Sequence, residues 1–194
     1  MTVNIHLGKK FHLKIKVVLT DGSQPIGNGV GPVLEMIDII KVLKREEDAP
    51  KDLEKKSIML SGILLEMTGK AKKGHGGKLA KQILDFGQAL KKFEQIIKAQ
   101  KGRLKNLKPG KYFYKVKAKR KAKIIHMDNK LINSLARYAG CPEDKYAGVY
   151  LHKKVNQQVL KKEGFLTIFA SSKEKLKHAR KFYKKNRKEI VKFE

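Results

Sequence analysis

The run Thr20–Glu35, TDGSQPIGNGVGPVLE, sets Gly27, Gly29 and Gly31 at alternate positions directly before a proline and an apolar segment. A glycine-rich loop at a helix N-terminus offers backbone N–H groups and the positive end of the helix dipole, which suits a phosphate. The run is not a Walker loop, because no Gly-Lys-Ser/Thr follows, and it lacks the G-x-G-x-x-G of dinucleotide folds. On glycine spacing alone it serves equally as a tight turn packing a strand against a helix. Ser23, in the same loop, has no histidine or acid placed by sequence to activate it as a nucleophile. The six histidines (6, 12, 75, 126, 152 and 178) fall in no metal-ligand spacing with acids or cysteine, which argues against zinc. His75, inside KKGHGG, is open to a phosphate contact or to a place in a surface loop. Cys141, beside Pro142, reads as a turn or buried thiol without redox work.

These residues depend on the elements around them. Leu13–Thr20 (LKIKVVLT) has β-branched residues between polar ones and predicts a strand running into the glycine-rich turn. Pro32 stands where a first helical residue would, and VLEMIDIIKVL predicts a helix with apolar residues on nearly every face. Asp52–Met67 predicts a second helix, with Leu53, Ile58, Ile63, Leu64 and Met67 inward. GHGG at 74–77 breaks the chain, and two amphipathic helices follow, Lys78–Phe86 and Gln88–Gln100, stopped by Gly102. The texture changes at Pro109-Gly110. Lys111–Ala118 alternates as a strand, and Lys123–Met127 is a second one. Asp128 caps a helix, NKLINSLARYAG, which Gly140 terminates. Gly148–Lys153 and Phe165–Ala170 read as strands around a polar turn at 156–158, and Lys173–Arg187 is a basic final helix. The fold class expected is α/β: part of a mixed α/β domain over residues 1–105, then a small α+β sandwich over residues 106–194. The boundary falls within 102–110.

Composition narrows the possibilities. A single cysteine among 194 residues excludes an internal disulfide. There is no run of 18 apolar residues and no apolar signal core near the start, so a cytoplasmic chain with no membrane partner is expected. Lys and Arg number 46 against 18 Asp and Glu, a net charge of +28. Such a surplus points to polyanions. Residues 101–127 contain no acid, and residues 171–194 carry 10 basic residues against three acids. Elsewhere the lysines are scattered singly. Aromatics are only 7%, tryptophan is absent, and neither an RNA-binding box nor a zinc finger is present. The charge leaves open a basic nucleic-acid-binding protein or an assembly module, and contact with nucleic acid on these features would be non-specific, electrostatic and released steeply by salt.

The whole string around the glycines is more specific than its spacing. T-D-G-S-Q-P-I-G-x-x-x-G-P-x-L-E resembles the pyrimidine nucleoside phosphorylase or thymidine phosphorylase family, and most closely its archaeal AMP phosphorylase branch. The likeness continues through Ser61-Gly62-Ile63-Leu64-Leu65-Glu66-Met67, Lys108-Pro109-Gly110-Lys111-Tyr112, Asp128-Asn129-Lys130 and Ala147–Val155 (AGVYLHKKV). It runs from about residue 8 to residue 180. The resemblance implies a glycosyltransferase of the pentosyl class, in which phosphate attacks the sugar of a nucleoside or nucleoside 5′-monophosphate and releases the base.

In that family the phosphate-gripping and base-binding residues lie upstream of T-D-G-S-Q-P, and this chain starts about twenty residues before it. The resemblance therefore implies the C-terminal part of a split or truncated phosphorylase. Its site would have no catalytic residues of its own, and activity would need an N-terminal half. It would work as a homo-oligomer or with a separate N-terminal chain. Family members hold a monovalent cation, potassium, with two loop carbonyls and one acid of the next helix, and the matching positions are Ile26, Gly29 and Asp38. Bacterial members place glutamate where Asp38 stands, and on the residues alone Asp38 is equally a solvent-facing helical acid. The second half resembles the family's C-terminal domain, related in shape to lipoyl and biotinyl carriers, although Lys153 and Lys154 lack a carrier lysine's context. It departs from the family at Asn156-Gln157-Gln158, where Gly-Asp is usual, and at Lys121-Ala122-Lys123, where a Gly-Tyr-type turn is usual.

Overall fold

A computed structural model describes residues 8, 10–104 and 107–194. His6 and the junction at 105–106 lie outside the described residues. From the glycine loop onward come a two-residue strand, β1 (Gly29–Val30), and four helices: α1 (Pro32–Leu43), α2 (Lys51–Met67), α3 (Gly76–Asp85) and α4 (Gln88–Ala99). Strands β2 (Tyr112–Lys117) and β3 (Ala122–Met127) lead to helix α5 (Asn129–Ala139). Then come β4 (Gly148–Leu151), β5 (Gln158–Val159), β6 (Gly164–Ala170), helix α6 (Lys173–Ile190) and β7 (Val191–Phe193). The result is a mixed α/β structure. Four strands form one sheet in the order β1-β4-β6-β2 and three form another, β5-β3-β7. Each described pairing is antiparallel.

Local chemistry explains the element ends. Pro32 supplies a pre-set φ at the first position of α1, where its missing N–H costs no bond. The Asp128 carboxylate accepts the Leu131 amide at 2.8 Å and so caps α5, and Gly140 closes that helix at φ 120°. Ser172 caps α6 through Lys175 N–H. The main core lies between the two sheets and helices α5 and α6, around Ile124, Ile132, Leu135, Val149, Phe165 and Ile168. A smaller cluster gathers Val42, Ala49 and Leu84 under the first helices.

Three expectations need correction. Leu13–Thr20 is not a strand: its backbone is irregular and exposed, with no ladder partner among the described residues. Strand identity requires a neighbour to take the backbone hydrogen bonds, and β-propensity in the segment itself does not supply one. On α2 the buried positions are Glu54 and Gly62, whereas Leu64 is 60% exposed. Glu54 faces inward because Arg45 pairs with it at 2.6 Å, and Gly62 does because α3 crosses there. The final helix extends to Ile190 and feeds β7, a strand the basic pattern gave no sign of.

Candidate functional site

The loop at 25–31 sits where the two sets of elements meet. β1 pairs with β4, Gly29 opposite Tyr150 and Val30 opposite Val149, so the loop edges the larger sheet. Its glycines permit that approach. A Cβ on Gly31, whose φ is 132°, would lie 2.5 Å from the Ala147 carbonyl oxygen. One on Gly148, at φ 156°, would lie 2.2 Å from the Val30 carbonyl oxygen.

Asp38 is the one acid of α1 that turns inward, at 1% exposure, which removes the reading of a solvent-facing acid. Its Oδ2 accepts two loop amides, Asn28 N–H at 2.5 Å and Gly29 N–H at 2.7 Å. Glu35 accepts the Gly31 amide at 3.0 Å. The amides that a phosphate would need are therefore taken by the chain's own carboxylates, and the loop is not an open phosphate cradle. The same device recurs at GHGG, where Glu66 Oε1 accepts the Gly74 and Gly76 amides, both at 3.0 Å. His75 stays exposed there, its Nδ1 3.2 Å from the Lys73 carbonyl.

The second carboxylate oxygen of Asp38, Oδ1, is buried with no protein partner. Burial pushes the Asp38 carboxyl above its usual range, against the opposing pull of the Gly29 and Asn28 amides and of Lys41 and Lys154. Ile26, Gly29 and Asp38 all line one cavity of about 260 Å³, which Glu35, Leu53 and Asn129 also border. An orphaned, desolvated carboxylate oxygen beside loop backbone is oxygen-donor chemistry of the kind a hard cation takes. No group of three or more His, Cys, Asp or Glu side chains is placed to hold a metal ion among the described residues.

Lys154 ties the loop to both halves. Its Nζ donates to the Pro25 carbonyl at 3.1 Å and to Asp52 Oδ2 at 2.5 Å, joining the β4–β5 connection to the loop and to the start of α2. Nothing in the sequence marked Lys154 for this role, because its partners lie 129 and 102 positions away. Lys153 pairs with Glu163 at 3.1 Å. Ser23 is exposed, its amide bonded to Asp21. Asn156 stands at φ 72°, so the left-handed turn at a family glycine position is kept by asparagine, which tolerates it. Burial pushes the Cys141 thiol up, with Glu35 and Asp144 adding to the effect, away from reactivity.

With the geometry in place, kinship becomes specific. Residues 123–189 match the pyrimidine nucleoside phosphorylase C-terminal domain family. Over most of its length the chain is similar to AMP phosphorylase of Methanococcus aeolicus, 39% identical across 92% of this chain and 36% of that protein. It is 43% identical to AMP phosphorylase of Methanosarcina acetivorans, across 89% of this chain and 35% of that protein. A protein of Legionella pneumophila strain Paris, named as a thymidine phosphorylase, is 40% identical across 89% and 33%. Methanogen and Legionella relatives thus match equally well, so identity does not single out an archaeal branch. The chain spans about a third of the length of the curated relatives it matches. No described helix is long and apolar enough to cross a membrane.

Proposed function

We propose that this chain is the C-terminal part of a nucleoside or nucleoside 5′-monophosphate phosphorylase, catalysing phosphorolytic pentosyl transfer once joined to the segment that binds the substrates. In that reaction a phosphate oxygen bonds to C1′ as the C1′–N bond breaks, and the base departs with the bonding electrons. The role of this chain is to brace the site and to supply half of a monovalent-cation site, through the Ile26 and Gly29 carbonyls and the Asp38 carboxylate. A cation bound there would contribute fixed positive charge and rigidity beside the phosphate-side loop. The observation that carries the reading is the orphaned Asp38 oxygen in a loop that lies inside the region similar to AMP and thymidine phosphorylases.

The test compares two proteins. The first is the purified chain with phosphate and AMP, CMP, UMP, thymidine or uridine. The second is the same chain fused behind the remaining two-thirds of the Methanococcus aeolicus AMP phosphorylase. The fusion should release free base from at least one substrate, and the chain alone should release none above a no-protein control. Base release by the chain alone, or a folded fusion inert toward every substrate, would overturn the proposal.

A further inference from the structure

A concentration of basic side chains lies away from the loop. A cavity of about 660 Å³ opens between the β2–β3 connection and the end of α6 with β7. One wall presents Lys117, Lys119 and Arg120, and the other presents Lys184, Arg187 and Lys188, all exposed. Lys192 adds a seventh cation, and no acid lines the groove. The acid-free stretch at 101–127 builds the first wall and the basic final helix builds the second. Two charge runs that are more than sixty positions apart in sequence thus face each other across one concavity.

The floor is apolar and aromatic. Half-buried Tyr114, Tyr183 and Phe193 line it, and the core residue Phe165 lies beneath, edge to face with Phe193 at 5.3 Å. Burial pushes the Tyr183 phenol up to about 12, so it stays neutral and does not repel an anion. Arg180 covers the Tyr114 ring at 4.4 Å, which fixes that side of the floor.

We propose that this groove binds single-stranded nucleic acid, with successive phosphates on the two cationic walls and bases against the aromatic floor. Charge complementarity selects the occupant. A single phosphate group brings about two negative charges, which leaves most of seven converging cations uncompensated. A strand brings one charge per nucleotide and so can meet cations on both walls. A duplex keeps its bases stacked inside, out of reach of an aromatic floor, whereas a single strand presents them. This inference stands apart from the phosphorylase reading, because none of these residues touches the Asp38 loop.

The test is fluorescence anisotropy of the full chain with a labelled oligothymidylate of about 12 nucleotides, within the usual span of such sites. A chain this cationic attracts any polyanion, so the decisive comparison holds net charge constant. One variant carries Lys184→Gln, Arg187→Gln and Lys188→Gln. The other carries Lys91→Gln, Lys92→Gln and Lys98→Gln, all exposed on α4. Glutamine suits helices, so both variants should keep the parent's circular dichroism. The groove variant should weaken binding by roughly 10- to 100-fold near 0.1 M salt and flatten the log–log salt slope by about 2, from three lost contacts at about 0.7 each. The α4 variant should cost less than about 3-fold. Equal losses in the two variants, or tighter binding of the corresponding duplex, would overturn the proposal. So would displacement of the strand by micromolar inorganic pyrophosphate, because a short anion would then suffice.

Discussion

Oδ2 of Asp38 lies 2.7 Å from the amide nitrogen of Gly29, nine positions earlier in the chain. That contact makes α1 the clamp on the glycine loop, and β1 then ties the loop to β4 of the second half. Asp38→Ala would leave the Asn28 and Gly29 amides without their acceptor, each lost pairing costing about 1–3 kcal/mol. Urea unfolding should show a loss of roughly 2–4 kcal/mol for Asp38→Ala and less than half of that for Asp38→Asn, which keeps one oxygen. An alanine variant as stable as the parent would remove the clamp from the account.

The same residue sets a pH dependence. Desolvation raises the folded-state Asp38 carboxyl above its ordinary 3.8, so the folded protein holds that proton more tightly than the unfolded chain. Its contribution is fully present below the ordinary value and is lost as pH rises through the raised one. Exposed Asp21, Asp48 and Asp85 and half-buried Glu163 are held below their usual range and act in the opposite sense. Subtracting the Asp38→Asn variant isolates the first effect. In choline chloride, the stability of the parent minus that of Asp38→Asn should decline as pH rises from about 3.8 toward neutrality. A difference that grows with pH would contradict the desolvated carboxylate.

Gly148 tests whether the loop and the larger sheet form one piece. Gly148→Ala would push a methyl group to 2.2 Å from the Val30 carbonyl oxygen at a backbone angle alanine rarely adopts. Stability should fall by about 3 kcal/mol or more, from combined strain and lost β1–β4 pairing. Gly22→Ala meets nothing within 4 Å and has no positive φ, so its effect should be within about 0.5 kcal/mol. Comparable urea midpoints for the two variants would show that β1 is not committed to β4.

Much of this architecture was legible because its causes are local. Pro32 at the start of α1, Asp128 capping α5 and Gly140 ending it are set by neighbouring backbone groups, and each stands where the residues place it. The strands β2 and β6 were legible from their own residues, whereas their pairing with each other was not. What failed was non-local. Leu13–Thr20 has strand composition without a strand to pair with among the described residues. On α2, Leu53 and Ile58 pack on the smaller core as their spacing predicts, whereas the burial of Glu54 and Gly62 follows from Arg45 and the α3 crossing, which no periodicity encodes. Ile26, Gly29 and Asp38 were found through resemblance, and the geometry places all three around one cavity. That the glycine amides are consumed by Asp38, Glu35 and Glu66 was not visible, since a carboxylate's partner depends on how the loop folds back.

The misread segment carries its own prediction. Phe11, Leu13, Ile15, Val17 and Leu19 are all exposed, so the segment carries an uncovered stripe of apolar side chains. Such a stripe beside unpaired backbone recruits other apolar surface. The chain should bind a hydrophobic dye and elute above its monomer mass, and Leu13→Lys with Ile15→Lys and Leu19→Lys should abolish both. A dye-negative, monodisperse parent would show the stripe to be covered.

The central claim, that the Asp38 loop is a working half of a phosphorylase cation site, is tested most directly in the fusion with the Methanococcus aeolicus segment. The measurement is initial rate of base release from AMP in potassium chloride and in choline chloride at equal ionic strength, for the parent fusion and for Asp38→Asn. The account predicts that potassium accelerates the parent by at least about 10-fold, one lost stabilising contact of roughly 1.4 kcal/mol, and leaves Asp38→Asn nearly unchanged. Equal potassium activation of both proteins, with Asp38→Asn folded, would contradict it.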